Sequence, residues 1–131
     1  MASGRRDYTW GFLNETATEG RYCESFTPSF TDIVSAGETK QMYFYEVPSG
    51  KRLTISSVWV SCVLREVNVF RVYLKGETVL IVYFSDHFCF NFSDRNPMVL
   101  SKGDTVSLAC TNLVDSNNYF SGGIICNLET L

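Results

Sequence analysis

The residues that could do chemistry in this chain are few, and the single histidine is the first of them. His87 follows Asp86 and stands two positions before Cys89. Residues two apart on a strand share a face, so His87 and Cys89 could form a thiol–imidazole pair for nucleophilic catalysis. A polar turn residue beside a buried cysteine explains the pattern more simply, and no Gly-x-Ser-x-Gly motif supports a triad. The sequence therefore favours a protein that is not an enzyme.

Carboxylates and loop oxygens give a second set of candidates. The carboxylate pairs that glycoside hydrolysis would need are Asp86 with Asp94, Asp104 with Asp115, and Glu24 with Asp32. All lie in turns or in the N-terminal region, where Asp commonly hydrogen-bonds the local backbone.

Oxygen ligands for calcium could come from Asp115, Asn117 and Asn118, although this segment lacks the glycine and distal glutamate of an EF-hand loop. One histidine cannot build a multi-histidine metal site within one chain. We expect no catalytic residue, no metal and no cofactor.

Composition narrows the class of protein. The chain has 131 residues, of which 45% are hydrophobic and 19% charged, so it can build one core and does not resemble a disordered chain. The formal net charge of −3 argues against a nucleic-acid partner, which usually calls for a basic surface. The longest apolar run covers only residues 79–84, far short of the ~20 residues of a membrane-spanning helix. We expect no contact with nucleic acid or membrane.

The five cysteines help to predict the cellular compartment in which the protein is made. Their number is odd and no C-x-x-C pair occurs. The basic segment 1–6 is not followed by the apolar region of a secretory signal, so we expect a protein that is made in the cytoplasm and not secreted. Reduced thiols, buried as small hydrophobic groups, are then the expected state.

From residue 39 onward the sequence alternates with the period of two that is typical of strands. Turn signals such as Pro48-Ser49-Gly50 and Lys75-Gly76-Glu77 separate the apolar runs. The alternation slips once, at Ser56-Ser57, which predicts a β-bulge. The pattern predicts an all-β fold, a single antiparallel β-sandwich or jelly roll at residues 39–131. The predicted strands cover residues 41–47, 53–62, 67–74, 78–84, 88–92, 98–100, 105–110 and 119–129.

Residues 1–38 lack this continuous pattern but carry many aromatic side chains. We interpret them as an extended N-terminal arm that packs on a neighbouring subunit or shell. An arm that adds a strand to its own sandwich is the alternative. The expected assembly anchors are Trp10, Phe12, Tyr22, Phe26 and Phe30.

Three segments together resemble small β-sandwich proteins on the particles of tailed phages. They are V-P-S-G-K-R-L-T-I at residues 47–55, L-S-K-G-D-T-V-S-L at residues 100–108, and S-G-G-I-I-C-N-L-E at residues 121–129. The resemblance covers about residues 40–129. It implies a subunit of the head-decoration, head-fibre or tail accessory type that assembles as a symmetric oligomer, and it implies no catalytic residues.

A weaker resemblance is to the trimeric jelly rolls of the C1q and tumour-necrosis-factor type. It is carried by Gly103-Asp104-Thr105-Val106 and the later Phe120-Ser121-Gly122. The aromatic G-x-Y-x-F segment of those domains is not apparent here. Both resemblances favour a homo-oligomer, and a trimer in particular.

We therefore expect a non-enzymatic structural virion protein, a capsid-decoration, minor capsid or tail accessory subunit. Its partners would be copies of itself and the major capsid or tail protein, and its location the virion. The alternative is a receptor- or glycan-binding module at the tip of a fibre or spike. Its candidate ligand loop would be Asn117, Asn118 and Tyr119, because an exposed aromatic ring beside amides suits a sugar.

Overall fold

The computed structural model describes residues 22–92 and 98–131. This part of the chain forms ten strands and no helix. It accordingly contains no helix long and apolar enough to cross a membrane. The strands are β1 (Tyr22–Phe26), β2 (Ser29–Val34), β3 (Thr39–Glu46), β4 (Lys51–Cys62), β5 (Asn68–Leu74), β6 (Glu77–Phe84), β7 (His87–Asn91), β8 (Met98–Leu100), β9 (Thr105–Thr111) and β10 (Asn118–Thr130).

Two antiparallel sheets form a sandwich, which confirms the predicted all-β fold. The first sheet has the order β1-β10-β4-β7, with β2 also paired to β10 and β8 to β4. The second sheet has the order β3-β9-β5-β6. The inward side chains of both sheets meet in one apolar core. Its largest fully buried members are Phe70, Phe120, Leu53, Ile55, Leu100, Leu108 and Ile124.

The predicted bulge in β4 is confirmed. Ile55 pairs with Cys126 and Ser57 with Ile125, so Ser56 has no partner on β10. One extra residue reverses the facing of everything that follows it. Leu53 and Ile55 therefore point into the core before the bulge, and Val58 and Val60 do so after it.

A tight hairpin joins β5 to β6. Leu74 pairs with Glu77, which leaves a loop of two residues, Lys75 and Gly76. Both have positive φ, 56° and 79°. These are the dihedral signs of a type I′ turn, whose twist matches that of the flanking strands. The sequence signal Lys75-Gly76-Glu77 thus fixes where β6 begins.

Part of the predicted arm belongs to the sandwich itself. Residues 22–34 form β1 and β2, and both strands pair with β10 of the same chain. Phe26 and Phe30 pack against the core, and the Phe26 ring lies 5.3 Å from the Tyr45 ring, centroid to centroid. The interpretation of residues 22–34 as an arm on a neighbour is corrected by this pairing. Of the other predicted anchors, Tyr22 has its backbone paired with Thr130, whereas Trp10 and Phe12 lie outside the described residues.

Two glycines on β10 explain why β2 can lie so close. A Cβ atom on Gly122 would come within 2.5 Å of the Phe30 ring and 2.6 Å of the Trp59 carbonyl oxygen. A Cβ atom on Gly123 would come within 2.6 Å of the Pro28 carbonyl oxygen. The absence of side chains at these two positions therefore lets the chain add β2 to its own sheet.

Candidate interaction surfaces

The thiol–imidazole pair that the sequence allowed as a possibility is not formed. His87 and Cys89 share the outer face of β7, but each has a different neighbour. His87 Nδ1 lies 3.3 Å from Asp86 Oδ2, and the Cys89 Sγ lies 3.9 Å from Asn91 Oδ1. His87 and Cys89 are exposed to solvent. Among residues 22–92 and 98–131, the geometry gives the Cys89 thiol no base to accept its proton.

Two of the candidate carboxylates, Asp32 and Asp104, interact with a lysine side chain or with backbone N–H groups. Asp32 lies 2.7 Å from the Lys40 ammonium, and the Lys40 hydrogen bond, together with one from the Ile33 N–H, lowers the pKa of Asp32. Asp104 accepts a hydrogen bond from the Ser101 N–H at 2.9 Å. Among the described residues no group of three or more His, Cys, Asp or Glu could hold a metal ion. Asp94 lies outside these residues.

The fold buries one residue of the candidate ligand loop and exposes the other two. Asn118 is only 1% exposed, so it cannot meet a ligand. Its Oδ1 accepts from the Leu64 N–H at 2.9 Å and its Nδ2 donates to the Leu64 carbonyl at 3.3 Å. Asn117 is exposed and Tyr119 is 53% exposed. The structure thus leaves Tyr119 and Asn117 as possible contact residues and makes Asn118 a structural one.

Asn118 is one of three buried asparagines at the same end of the sandwich. Asn112 donates from Nδ2 to the Val34 carbonyl at 2.9 Å and to the Ser116 carbonyl at 2.8 Å, and its Oδ1 accepts from the Val114 N–H. Because buried polar groups are costly unless paired, these bonds hold the loop after β9 in one shape.

Asn68, the first residue of β5, completes this set. Its Nδ2 donates to the Glu66 carbonyl at 2.8 Å, and its Oδ1 accepts from the Leu113 N–H at 3.0 Å. It therefore connects the loop after β4 with the loop after β9. These roles could not be predicted, because a buried asparagine and a solvated loop asparagine look alike in a sequence.

The two loops held by these asparagines expose apolar side chains. The Val63 N–H donates to the Tyr119 carbonyl at 3.1 Å, which brings the start of β10 into the same region. We call this region the loop end. Its exposed apolar side chains are Val63, Leu64, Val67, Leu113 and Tyr119.

A second apolar surface lies along β6. Alternate residues of the strand point outward, where Val79, Ile81 and Tyr83 are 41%, 55% and 68% exposed. The residues between them point toward the core. The strand pairs with β5 on one side, and in the described part of the chain nothing pairs with its other side. We call this strand, with its open side, the β6 edge.

A groove of about 380 Å³ adjoins the β6 edge where the strand begins. Its walls are the β5–β6 turn and the short strand β8. The lining residues are Leu74, Lys75, Glu77, Val79, Met98, Val99 and Leu100. The open edge therefore continues into a concave, mostly apolar surface.

The opposite edge of the same sheet, β3, has a different character. Its outward Phe44 is 51% exposed, but the strand carries Lys40 near its start and Glu46 at its end. Lys40 also binds Asp32 of β2, which closes part of that side. A bulge at Met42 interrupts the pairing with β9. Charges, bulges and covering segments are the usual ways in which a strand edge avoids further pairing.

The five cysteines fall into two groups. Cys62, Cys110 and Cys126 lie in strands, as predicted, and are buried, whereas Cys23 and Cys89 are exposed; the structure has all five as free thiols. Burial raises the pKa of Cys110 to about 12 and that of Cys126 to about 12. These two thiols are therefore neutral and poorly reactive at neutral pH.

Comparison with known proteins gives likenesses to solved structures only. No protein-family model matches the chain, and no curated protein matches its sequence at a significant level. Bacillus endospore appendages, described as disulfide-linked pili, match at 10% identity and a TM-score of 0.41, over 84% of this chain and 87% of theirs. The VP2 subviral particle of infectious bursal disease virus matches at 12% identity and a TM-score of 0.41, over 84% of this chain and 33% of its own.

A carbohydrate-binding module of the CBM36 type, from a xylanase of a termite hindgut metagenome, matches at 11% identity and a TM-score of 0.37. The match covers 81% of this chain and 98% of the module. These proteins are structural subunits in two cases and a sugar-binding domain in the third. At these identities the likenesses show the fold alone.

Proposed function

We propose that this protein is a non-enzymatic structural subunit of an assembled particle. Specifically, the protein would be a capsid-decoration, minor capsid or tail accessory subunit of a virion, made in the host cytoplasm. It would contact copies of itself and the major capsid or tail protein. The observation that carries the proposal is the outward apolar row Val79, Ile81 and Tyr83 on an open strand edge.

Physical chemistry supports a contact role for this row. Single exposed hydrophobic residues are normal on a protein surface, but adjacent ones that form a patch mark interaction sites. Each large apolar side chain that becomes buried contributes roughly 1.5–3 kcal/mol before the entropic cost of association. Val79, Ile81 and Tyr83 occupy alternate exposed positions of one strand, so one partner can contact all three.

The resemblance to phage-particle proteins supports the virion form of the proposal. Its three segments lie at the start of β4, at β8–β9 and at the end of β10. Arg52 of the first segment and Glu129 of the third are joined by an ion pair of 2.6 Å between Arg52 Nη2 and Glu129 Oε1. The segments that carry the resemblance therefore include residues that contact each other in the fold.

Co-sedimentation tests the proposal. Lysates of the cells that naturally produce the chain are separated on a density gradient, and each fraction is probed for the chain and for the major shell protein. We expect the chain in the particle fractions at a constant ratio to the shell protein, including after a salt wash. A chain that remains at the top of the gradient while particles sediment would contradict the proposal.

The alternative, a receptor- or glycan-binding module, is favoured by one observation. Tyr119 is 53% exposed at the loop end beside the exposed Asn117, on a backbone held by the buried Asn118. An aromatic ring on a rigid support next to an amide is a common arrangement for a sugar ring. A glycan array with the wild type and Tyr119→Ala tests this function, with Leu113→Ala as the matched control at the same end. Binding that Tyr119→Ala abolishes and Leu113→Ala retains would favour the alternative.

A further inference from the structure

We propose that β6 pairs with β6 of a second copy, antiparallel, about a two-fold axis at Val82. The two four-stranded sheets would then become one continuous sheet of eight strands. The inference rests on the proposed function, because it names the partner of the surface that carries that function.

The choice of β6 follows from a comparison of the strand edges. In the described part of the chain, β6 is the one long edge strand without a charge along most of its length: residues 78–84 contain none, and Glu77 stands at its start. The other edges are protected. β3 carries Lys40 and Glu46, β2 carries Asp32, and β1, β7 and β8 have only five, five and three residues. An uncharged, long, apolar edge is a template for pairing with another strand.

The regular part of β6 decides the register. The pairing with β5 shifts between Val72 and Tyr73, opposite Val79, so the uninterrupted stretch is residues 80–84. The centre of this stretch is Val82. A two-fold axis there places Val82 opposite itself and Ile81 opposite Tyr83 of the second copy. Directly opposed aromatic and β-branched side chains stabilise antiparallel pairs.

The lack of charge on β6 favours a second copy as the occupant. A strand that pairs with itself brings like charges together unless the paired stretch carries none. Residues 80–84 are all uncharged, and Glu77 falls outside the paired stretch. The two-fold contact uses the β6 edge of both copies. The free edges of the eight-stranded sheet are then the two charged β3 strands, so assembly through this sheet stops at a dimer. This arrangement differs from the trimer that the resemblances favour.

Sedimentation equilibrium of the full chain, with a charge-swap pair, tests the inference. We expect the wild type at twice the 14.8 kDa chain mass at micromolar concentration. Ile81→Lys and Tyr83→Glu should each weaken the dimer by at least about 30-fold, the effect of a hot-spot residue. An equimolar mixture of the two variants should regain the dimer, because Lys at position 81 then faces Glu at position 83 of the other chain.

Three further measurements keep the result interpretable. Val63→Lys places the same charge on an equally exposed apolar position at the loop end and should leave the dimer unchanged. Circular dichroism should show the same β-sheet spectrum for all variants, since positions 81 and 83 are exposed. Trp10→Ala with Phe12→Ala, in the full chain, should also leave the dimer intact.

The outcomes are distinct. A monomeric or trimeric wild type, a mixture that fails to dimerise, or loss of the dimer in the Trp10 and Phe12 variant would each overturn the inference. The last of these would identify the N-terminal segment as the occupant of the edge. A monomer that still co-sediments with particles overturns the inference alone, whereas a dimer that does not join particles overturns the proposed function alone.

Discussion

The loop end and the β6 edge both expose apolar side chains, but the fold supports them in opposite ways. At the loop end the apolar residues stand on irregular backbone, whose polar groups are bound by Asn68, Asn112 and Asn118. At the β6 edge they stand on a strand that pairs regularly over residues 80–84, without such side-chain support and, in the described part of the chain, with one side unpaired. The buried backbone groups of the loop end therefore find their hydrogen-bond partners within one chain, whereas N–H and C=O groups on the open side of β6 are available for further hydrogen bonds.

This difference shows how to tell two kinds of apolar surface apart. Irregular loops keep one shape only if their buried N–H and C=O groups have partners, and these loops use side-chain amides for the purpose. A rigid surface of that kind can bind a partner with little loss of conformational entropy. An open strand gains backbone hydrogen bonds as well as apolar burial, so its natural partner is another strand.

The largest effect is expected at the support of the loop end. Asn112→Ala removes three hydrogen bonds and leaves buried backbone groups without partners, so it should lower the free energy of unfolding by about 3 kcal/mol. Urea denaturation followed by fluorescence measures this change. Asn117→Ala, at an exposed position five residues away, should change it by less than about 0.5 kcal/mol. Equal effects of the two substitutions would show that the network does not hold the loops.

A second substitution tests the packing of β2 on β10. Gly122→Ala would place a Cβ atom within 2.5 Å of the Phe30 ring on β2 and within 2.6 Å of the Trp59 carbonyl oxygen on β4, and it should cost about 2 kcal/mol of unfolding free energy. The control is Ile125→Ala on the same strand, at a position that is 45% exposed. A neutral Gly122→Ala would mean that β2 does not pack on β10 as closely as described.

The reaction rates of two cysteine thiols test how firmly the loop end is held. Cys62 lies beside the loop end and donates to the Leu64 carbonyl at 3.3 Å, and burial raises its pKa, whereas Cys89 is exposed on the strand after β6. Cys89 should react with a thiol reagent at pH 8 at least about 10-fold faster than Cys62. Mass spectrometry of the labelled peptides reads the two sites separately.

The total thiol count is a control for this experiment. Under denaturing, non-reducing conditions we expect five free thiols, and in the native protein rapid reaction at Cys23 and Cys89 only. A count of one or three after denaturation would contradict the expectation of reduced cysteines. Fast native labelling of Cys62 would show that the loop end opens more readily than its hydrogen bonds indicate.

The smallest effect is expected for the exposed apolar side chains themselves. Ile81→Thr and Leu113→Ser each remove apolar surface that already meets water, so each should change the unfolding free energy of the isolated subunit by less than about 0.5 kcal/mol. Dilution to nanomolar concentration keeps association from contributing to the measured stability. A loss above about 1 kcal/mol at either position would mean that the side chain belongs to the core of its own chain.

Much of the fold could be predicted because the alternation in the sequence is strong. The slip at Ser56-Ser57 predicted the β4 bulge, and Lys75-Gly76 predicted the β5–β6 turn. The membership of β1 and β2 in the sheet could not be predicted, because alternation in a strand does not name its partner. In hindsight Gly122-Gly123 was the available signal, since two adjacent glycines inside a strand mark a close approach of other backbone.

The candidate surfaces were harder to predict than the fold. Asn117, Asn118 and Tyr119 look equivalent in the sequence, yet the fold buries Asn118 and exposes Tyr119. The run Val79–Phe84 is apolar at every position, so its periodicity could not show which residues point outward. Only the pairing with β5 decides that Ile81 and Tyr83 face the solvent.

The pairing of β6 with β6 of a second copy is examined best by the charge-swap mixture. Ile81→Lys and Tyr83→Glu are brought to sedimentation equilibrium singly and in equal amounts. We expect single-chain mass for each variant alone and twice that mass for the mixture. Single-chain mass in all three samples, with a wild type that is also monomeric, would contradict this pairing.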